Sequence, residues 1–167
     1  MRAAASRADN AAGMNELRVP TVALVAEVAC ADGRTFNGRI FVPAAASHHS
    51  GPMRPEEWIN EPVSFFPFLH DDASVPVMLN KRTVLVVTLQ GGQSSEGPES
   101  IGIERRVAIE CGGRWLEGVL HIDMPENHQR VQDYLNRVEL FLTLTEGPRR
   151  HLVQKEHITR VVELREE

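Results

Sequence analysis

Ala31-Asp32-Gly33-Arg34-Thr35-Phe36-Asn37-Gly38-Arg39-Ile40 and Cys111-Gly112-Gly113-Arg114-Trp115-Leu116-Glu117-Gly118-Val119-Leu120 align at an offset of 80 residues, with two glycines, the arginine and the apolar positions in register. Working outward, Arg54-Pro55-Glu56-Glu57-Trp58-Ile59-Asn60 matches Arg130-Val131-Gln132-Asp133-Tyr134-Leu135-Asn136 at an offset of 76. Ser64 to Phe68 then matches Leu140 to Leu144, and Lys81 to Val87 matches Lys155 to Val161 at an offset of 74. Copies that differ only in loop length are the mark of one small fold present twice. Each copy has about 65–70 residues, near the lower limit for a self-sufficient core, so the two are expected to pack on each other. The expected organisation is a flexible tail over 1–17, a first repeat over 18–89, a linker over 90–102 and a second repeat over 103–167.

Within the copies the pattern is that of strands. Thr21 to Cys30 is rich in β-branched residues and runs into Asp32-Gly33, a strong hairpin signal. Val107, Ile109 and Cys111 alternate with Ala108 and Glu110 before Gly112-Gly113, the period of a half-buried strand. The returning strands, Thr35 to Val42 and Trp115 to Ile122, contain Gly38 and Gly118, where an interior glycine marks a bulge, a bend or a close backbone approach. Apolar residues at 131, 134 and 135 predict a short helix over 130–136. Its counterpart over 54–60 has Pro55 in the first turn, and Asn60 and Asn136 are expected to end the helices in left-handed geometry. Strands around Phe65 and Phe141 follow, then turns, then final strands over 77–89 and 151–164. Phe65 and Phe141 are expected to be equivalent core residues, with one aromatic per copy at a contact between units or subunits. The expectation is an all-β protein with minor α, built as two tandem small β-barrels. Two copies sharing one larger sheet is the architectural alternative.

Composition narrows the function classes. The chain of 167 residues is 42% hydrophobic and 25% charged, ordinary values for a globular protein. No apolar run approaches the ~20 residues needed to cross a bilayer, and the N-terminal segment lacks the apolar stretch of a secretory signal. A cytoplasmic location without membrane insertion is expected. The net charge is −5, with 8 basic against 9 acidic residues through Gln90 and 10 against 14 beyond it. Neither half has the basic excess that phosphate backbones demand. Two cysteines, Cys30 and Cys111, one per copy and one position out of register, indicate buried strand residues and no disulfide framework.

The densest histidine cluster, His48, His49 and His70-Asp71-Asp72, matches no zinc spacing, and no metal site or cofactor is expected. His121, His151 and His157 fall on or beside strands, where outward polar alternation accounts for them. No nucleophile-elbow, phosphate-loop or dinucleotide motif occurs, so no catalytic residue is assigned and the protein is read as a non-enzyme. Arg54 and Arg130 recur beside Glu57 and Asp133. They are candidates for a ligand clamp, although pairs flanking a short helix more often cap it or form local ion pairs. Trp58 with Phe65, Phe66 and Phe68 has the look of a base-stacking platform, but aliphatic residues at the matching places in the second copy favour a repeated core.

Gly113 to Leu120, together with Lys155-Glu156-His157-Ile158-Thr159-Arg160-Val161-Val162, resembles the two signature strands of the Sm-like family of small SH3-like barrels, which includes the bacterial RNA chaperone Hfq. In that family a bent, glycine-punctuated strand is followed by a closing Lys-His strand. The resemblance places the RNA-contacting lysine on Lys155 and the histidine on Glu156, so the lysine matches and the histidine is displaced to His157. The first copy keeps Lys81, followed by Arg82 and Thr83. The segment from Arg130 to Asn136 is similar to uncharacterised bacterial proteins that share this pattern. The resulting expectation is a non-enzymatic binding, scaffold or assembly module of a bacterial cytoplasm, acting on a protein partner or as a homo-oligomer. The alternative is an Sm-like RNA-binding regulator using Lys81 and Lys155. A third reading is a small-ligand, nucleotide-sensing barrel using Arg54 and Arg130. Arg105-Arg106 precedes a strand only in the second copy and lacks the Asp/Asn-x-Ser-x-x-Gly sequence of such receptors.

Overall fold

A computed structural model describes residues 19–91 and 102–165. The expected tail, 1–17, and nearly all of the expected linker lie outside the described residues. The elements are β1 (Thr21–Cys30), β2 (Thr35–Pro43), α1 (Pro55–Ile59), β3 (Phe65–His70), β4 (Val77–Asn80) and β5 (Val84–Gln90). They continue as β6 (Ile103–Cys111), β7 (Arg114–Ile122), α2 (Val131–Leu135), β8 (Phe141–Glu146), β9 (Arg149–Gln154) and β10 (Ile158–Glu163). The protein is all-β with minor α. The ten strands among the described residues form one antiparallel sheet in the order β10-β6-β7-β8-β9-β5-β1-β2-β3-β4, which is not closed. The shared-sheet alternative is therefore the observed arrangement, and two separate barrels are not.

Each half repeats one strand order, fifth-first-second-third-fourth. The registers repeat with it: Ala26 opposite Gly38 becomes Val107 opposite Gly118, and Phe66 opposite Leu79 becomes Leu142 opposite Val153. Cys30 and Cys111 also coincide, lying opposite Val84 and Ile158. Their mismatch by one position is absorbed in the turn. Gly112 and Gly113 form a two-residue turn with φ of +58° and +77°, a conformation open to glycine, while the first copy uses one residue more.

The final strands differ from expectation, since each is two strands split by a 3-10 turn, Lys81–Thr83 or Lys155–His157. The cause is local. Asn80 Oδ1 accepts from the Arg82 amide at 3.0 Å, and Gln154 Oε1 accepts from the Glu156 amide at 3.0 Å, offering the backbone a partner other than the ladder. The helices also end differently from the expected left-handed cap. Asn60 has φ −91° and ψ 0°, and its Nδ2 donates to Glu56 O at 2.9 Å; Asn136 does the same to Gln132 O at 2.8 Å.

Gly38 and Gly118 are sites of close approach. A Cβ at Gly38 would lie 2.0 Å from Leu69 O, and one at Gly118 would lie 2.5 Å from Thr145 O. Both contacts fall where β2 and β7 meet β3 and β8, so hydrogen makes room for the neighbouring backbone. The core has two clusters, and each borrows from the other half. The first, around Val28, Ile40 and Phe68, includes Phe141 and Leu152; the second, around Ile109, Leu120 and Leu144, includes Leu85 and Val86.

Gly118→Ala is expected to destabilise the protein by about 1–3 kcal/mol, the usual range for overpacking, as measured by urea denaturation. Phe141→Ala should cost roughly 3–5 kcal/mol, as deletion of a buried phenyl ring does.

Candidate functional site

The two repeated lysines occupy equivalent places and are engaged by backbone. Lys81 is almost fully buried, and its Nζ donates to Glu61 O at 2.9 Å. Lys155 Nζ donates to Leu135 O at 3.2 Å and also to Arg137 O. Each ammonium thus ties the loop that follows a short helix to the 3-10 turn on which the lysine sits. Burial lowers the pKa of both amines. Neither lysine stands as an open cation toward a phosphate backbone.

The paired arginines lie at the helix starts. Arg54 Nε is 3.8 Å from Glu57 Oε1, while Arg130 Nε donates to Asp133 Oδ2 at 3.2 Å. The Arg54 amide donates to Glu57 Oε2 at 3.1 Å, so the acid at the third helical position caps the first turn. His49 Nε2 adds contacts of 3.0 and 3.1 Å to the same carboxylate. That hydrogen bond raises the pKa of His49. Burial works against ionisation of Glu57, but the bonds from His49 and the Arg54 amide outweigh it and lower its pKa. This cluster staples the loop at 48–53 to α1.

The remaining candidates are structural in their surroundings. His70 stands edge-on to Phe36 and Phe68, with centroids at 5.0 and 5.1 Å. Among the described residues no three His, Cys, Asp or Glu side chains converge to hold a metal ion. Cys30 and Cys111 are free and buried; burial raises both thiols, Cys111 to about 11. Trp58 and Phe66 pack edge to face in the first core cluster at 5.3 Å, away from any stacking role.

The densest set of specific contacts lies where the halves join, along β5 and β9. Asn60 reaches across, donating from Nδ2 to Phe141 O at 3.1 Å and accepting from the Phe141 amide at 2.9 Å. Arg150 Nη1 donates to Glu56 Oε2 at 3.3 Å, Gln154 Nε2 donates to Lys81 O at 3.3 Å, and His157 Nε2 lies 2.7 Å from Arg82 O. Buried His151 spans the middle, its Nδ1 2.8 Å from Thr88 Oγ1 and its Nε2 2.8 Å from Glu146 Oε2. His151 is thus engaged at both imidazole nitrogens, by Thr88 of the first half and by half-exposed Glu146 of the second, so it helps to lock the junction. Sequence reasoning missed Asn60 and His151 as junction residues, because their partners are 81 and 63 positions away.

Beyond the junction the two ends of the sheet, β4 and β10, carry exposed apolar side chains. Val77 and Met78 project from β4, Phe65 from β3 beside it, and Val162 from β10. Phe65, expected in the core, is 52% exposed, whereas Phe141 at the equivalent position is 3% exposed. The physical reason is position: Phe141 is covered by the first half at the junction, and Phe65 faces the free end. Comparison with protein-family profiles, curated proteins and solved structures finds no match to this chain.

The His49 imidazole should titrate above its ordinary 6.5 by NMR, returning toward it in Glu57→Gln. Because folding raises this pKa, the stabilisation is fully present below the unfolded value and is lost as pH rises through the folded one. Arg130→Ala should cost below about 1 kcal/mol by thermal melting, as exposed ion pairs do.

Proposed function

We propose that this chain is a non-enzymatic assembly module, built as two tandem barrel-like units of one duplicated Sm-like or SH3-like plan, that joins other polypeptides through its sheet edges. The observation that carries this reading is the pair of sheet ends, β4 and β10, that pair with no further strand among the described residues and bear Val77, Met78 and Val162 in exposed positions. Strand ends with unpaired backbone and apolar side chains add a further strand readily. No helix among the described residues is long and apolar enough to cross a membrane. Two free, buried thiols suit the reducing bacterial cytoplasm proposed for it.

The RNA-regulator reading loses support from the engagement of Lys81 and Lys155 by backbone carbonyls. The ligand-sensing reading loses support from the pairing of Arg54 and Arg130 with the acids of their own helices.

Purification of the full chain from its host, with mass spectrometry and an absorbance ratio, should recover polypeptide without nucleic acid. The recovered polypeptide should be lost in Met78→Lys and Val162→Lys. Fluorescence anisotropy should detect no saturable binding of uridine-rich or adenine-rich strands below about 10 µM near physiological salt. Sub-micromolar binding that falls with salt and is lost in Lys81→Ala plus Lys155→Ala would overturn the assembly reading in favour of RNA.

A further inference from the structure

Inside the chain the halves join by the fifth strand of the first, β5, against the fourth strand of the second, β9. The strands left at the ends of the sheet are the remaining fourth strand, β4, and the remaining fifth strand, β10. The two edges left unpaired among the described residues are therefore the same two kinds of surface as those already paired. We propose that a second copy of this chain docks head to tail, its β10 adding to β4 of the first in the register that β5 adopts on β9. The proposal rests on the assembly-module reading and names its partner.

The register follows from the repeat. Residues 84–90 and 149–154 correspond to 158–164 and 75–80, both by a shift of 74. Val87 opposite Leu152 and Thr88 opposite His151 inside the chain become Val161 opposite Met78 and Val162 opposite Val77 between chains. Exposure tracks this equivalence. Leu152 is 1% exposed at the internal junction, and Met78 in its place is 60% exposed. Phe141 and Phe65 show the same contrast one strand inward. The opposite side of the interface is uncovered as well: Trp58 and Ile59 of α1 are buried beside the junction, while Tyr134 and Leu135 of α2 are only partly buried.

Two further elements of the internal junction have unfilled counterparts. Asn60 clamps the Phe141 backbone; Asn136 makes the matching bond within its own helix, and in the second copy it stands where it would meet Phe65 of the first. Leu85 and Val86 of β5 fill the second core beside Cys111 and Val153. The equivalent residues Cys30 and Leu79 instead line an open depression with Phe36, His70 and Asp32, into which Thr159 and Arg160 of the docked strand would project. Pro76 has no N–H to donate, which confines the new ladder to residues 77–79 and keeps the edge from pairing indiscriminately. A contact of unlike edges repeats from chain to chain and leaves no edge only when it closes into a ring.

The test uses the full chain and surface variants. Native mass spectrometry and light scattering should show more than one chain per particle, and Met78→Lys and Val162→Lys should each reduce this to one chain with unchanged circular dichroism. Val77→Cys plus Val162→Cys should form an interchain disulfide under mild oxidation, and neither single variant should form that cross-link. A monomer at every attainable concentration would overturn the proposal, as would assemblies that survive both lysine variants. A monomer whose β4 and β10 edges nonetheless hold a different polypeptide would overturn the second-copy inference alone, leaving the assembly reading in place. A monomer that holds none would remove both.

Discussion

Five residue pairs between β5 and β9, from Val86 opposite Val153 to Gln90 opposite Arg149, turn two five-stranded units into a single sheet. The rest of the structure depends on this pairing because neither core is complete without it. Phe141 and Leu152 enter the first cluster, and Leu85 and Val86 enter the second. A unit of this size buries too little apolar surface to stand alone comfortably, so shared burial at the junction supplies what each half lacks. The polar contacts there add direction to that burial. Asn60 on the Phe141 backbone and His151 between Thr88 and Glu146 leave few polar atoms unsatisfied and define one register.

The same residues that first suggest chemistry hold the architecture together. Lys81 and Lys155 begin matching 3-10 turns, and each ammonium binds carbonyls at or just after the end of the helix of its own unit. A primary amine with three donors can close such a loop where no backbone N–H is in reach. Arg54 and Arg130 serve their helices in parallel fashion, each beside the acid three positions on. Repetition of a charged residue in both copies here reflects a repeated structural task.

Equivalent positions in unlike surroundings are the most direct guide to function. Phe65 and Phe141, or Met78 and Leu152, have the same local structure and sequence neighbourhood type, yet one member of each pair is covered and the other faces solvent. Apolar side chains at the ends of a sheet carry an association hazard, and β4 limits it with its short length and with Pro76. The surface that remains is suited to one strand at a time.

Strand periodicity, turn glycines and the internal repeat made the strand-rich, one-helix content of each half legible, because those signals depend on neighbours a few residues away. Gly38 and Gly118 were recognisable as special for the same reason, though the carbonyls they accommodate, Leu69 and Thr145, were not. The split of the final strands is not legible in the sequence, since an amide side chain folding back on its own turn leaves no periodic mark. What only the tertiary structure decided was which faces meet. Two identical patterns contain no information on whether they close separately or share a sheet, and the outcome turned on β5 finding β9. That choice alone buried Phe141 and left Phe65 in water, because burial is a property of what packs on a residue and not of the residue itself.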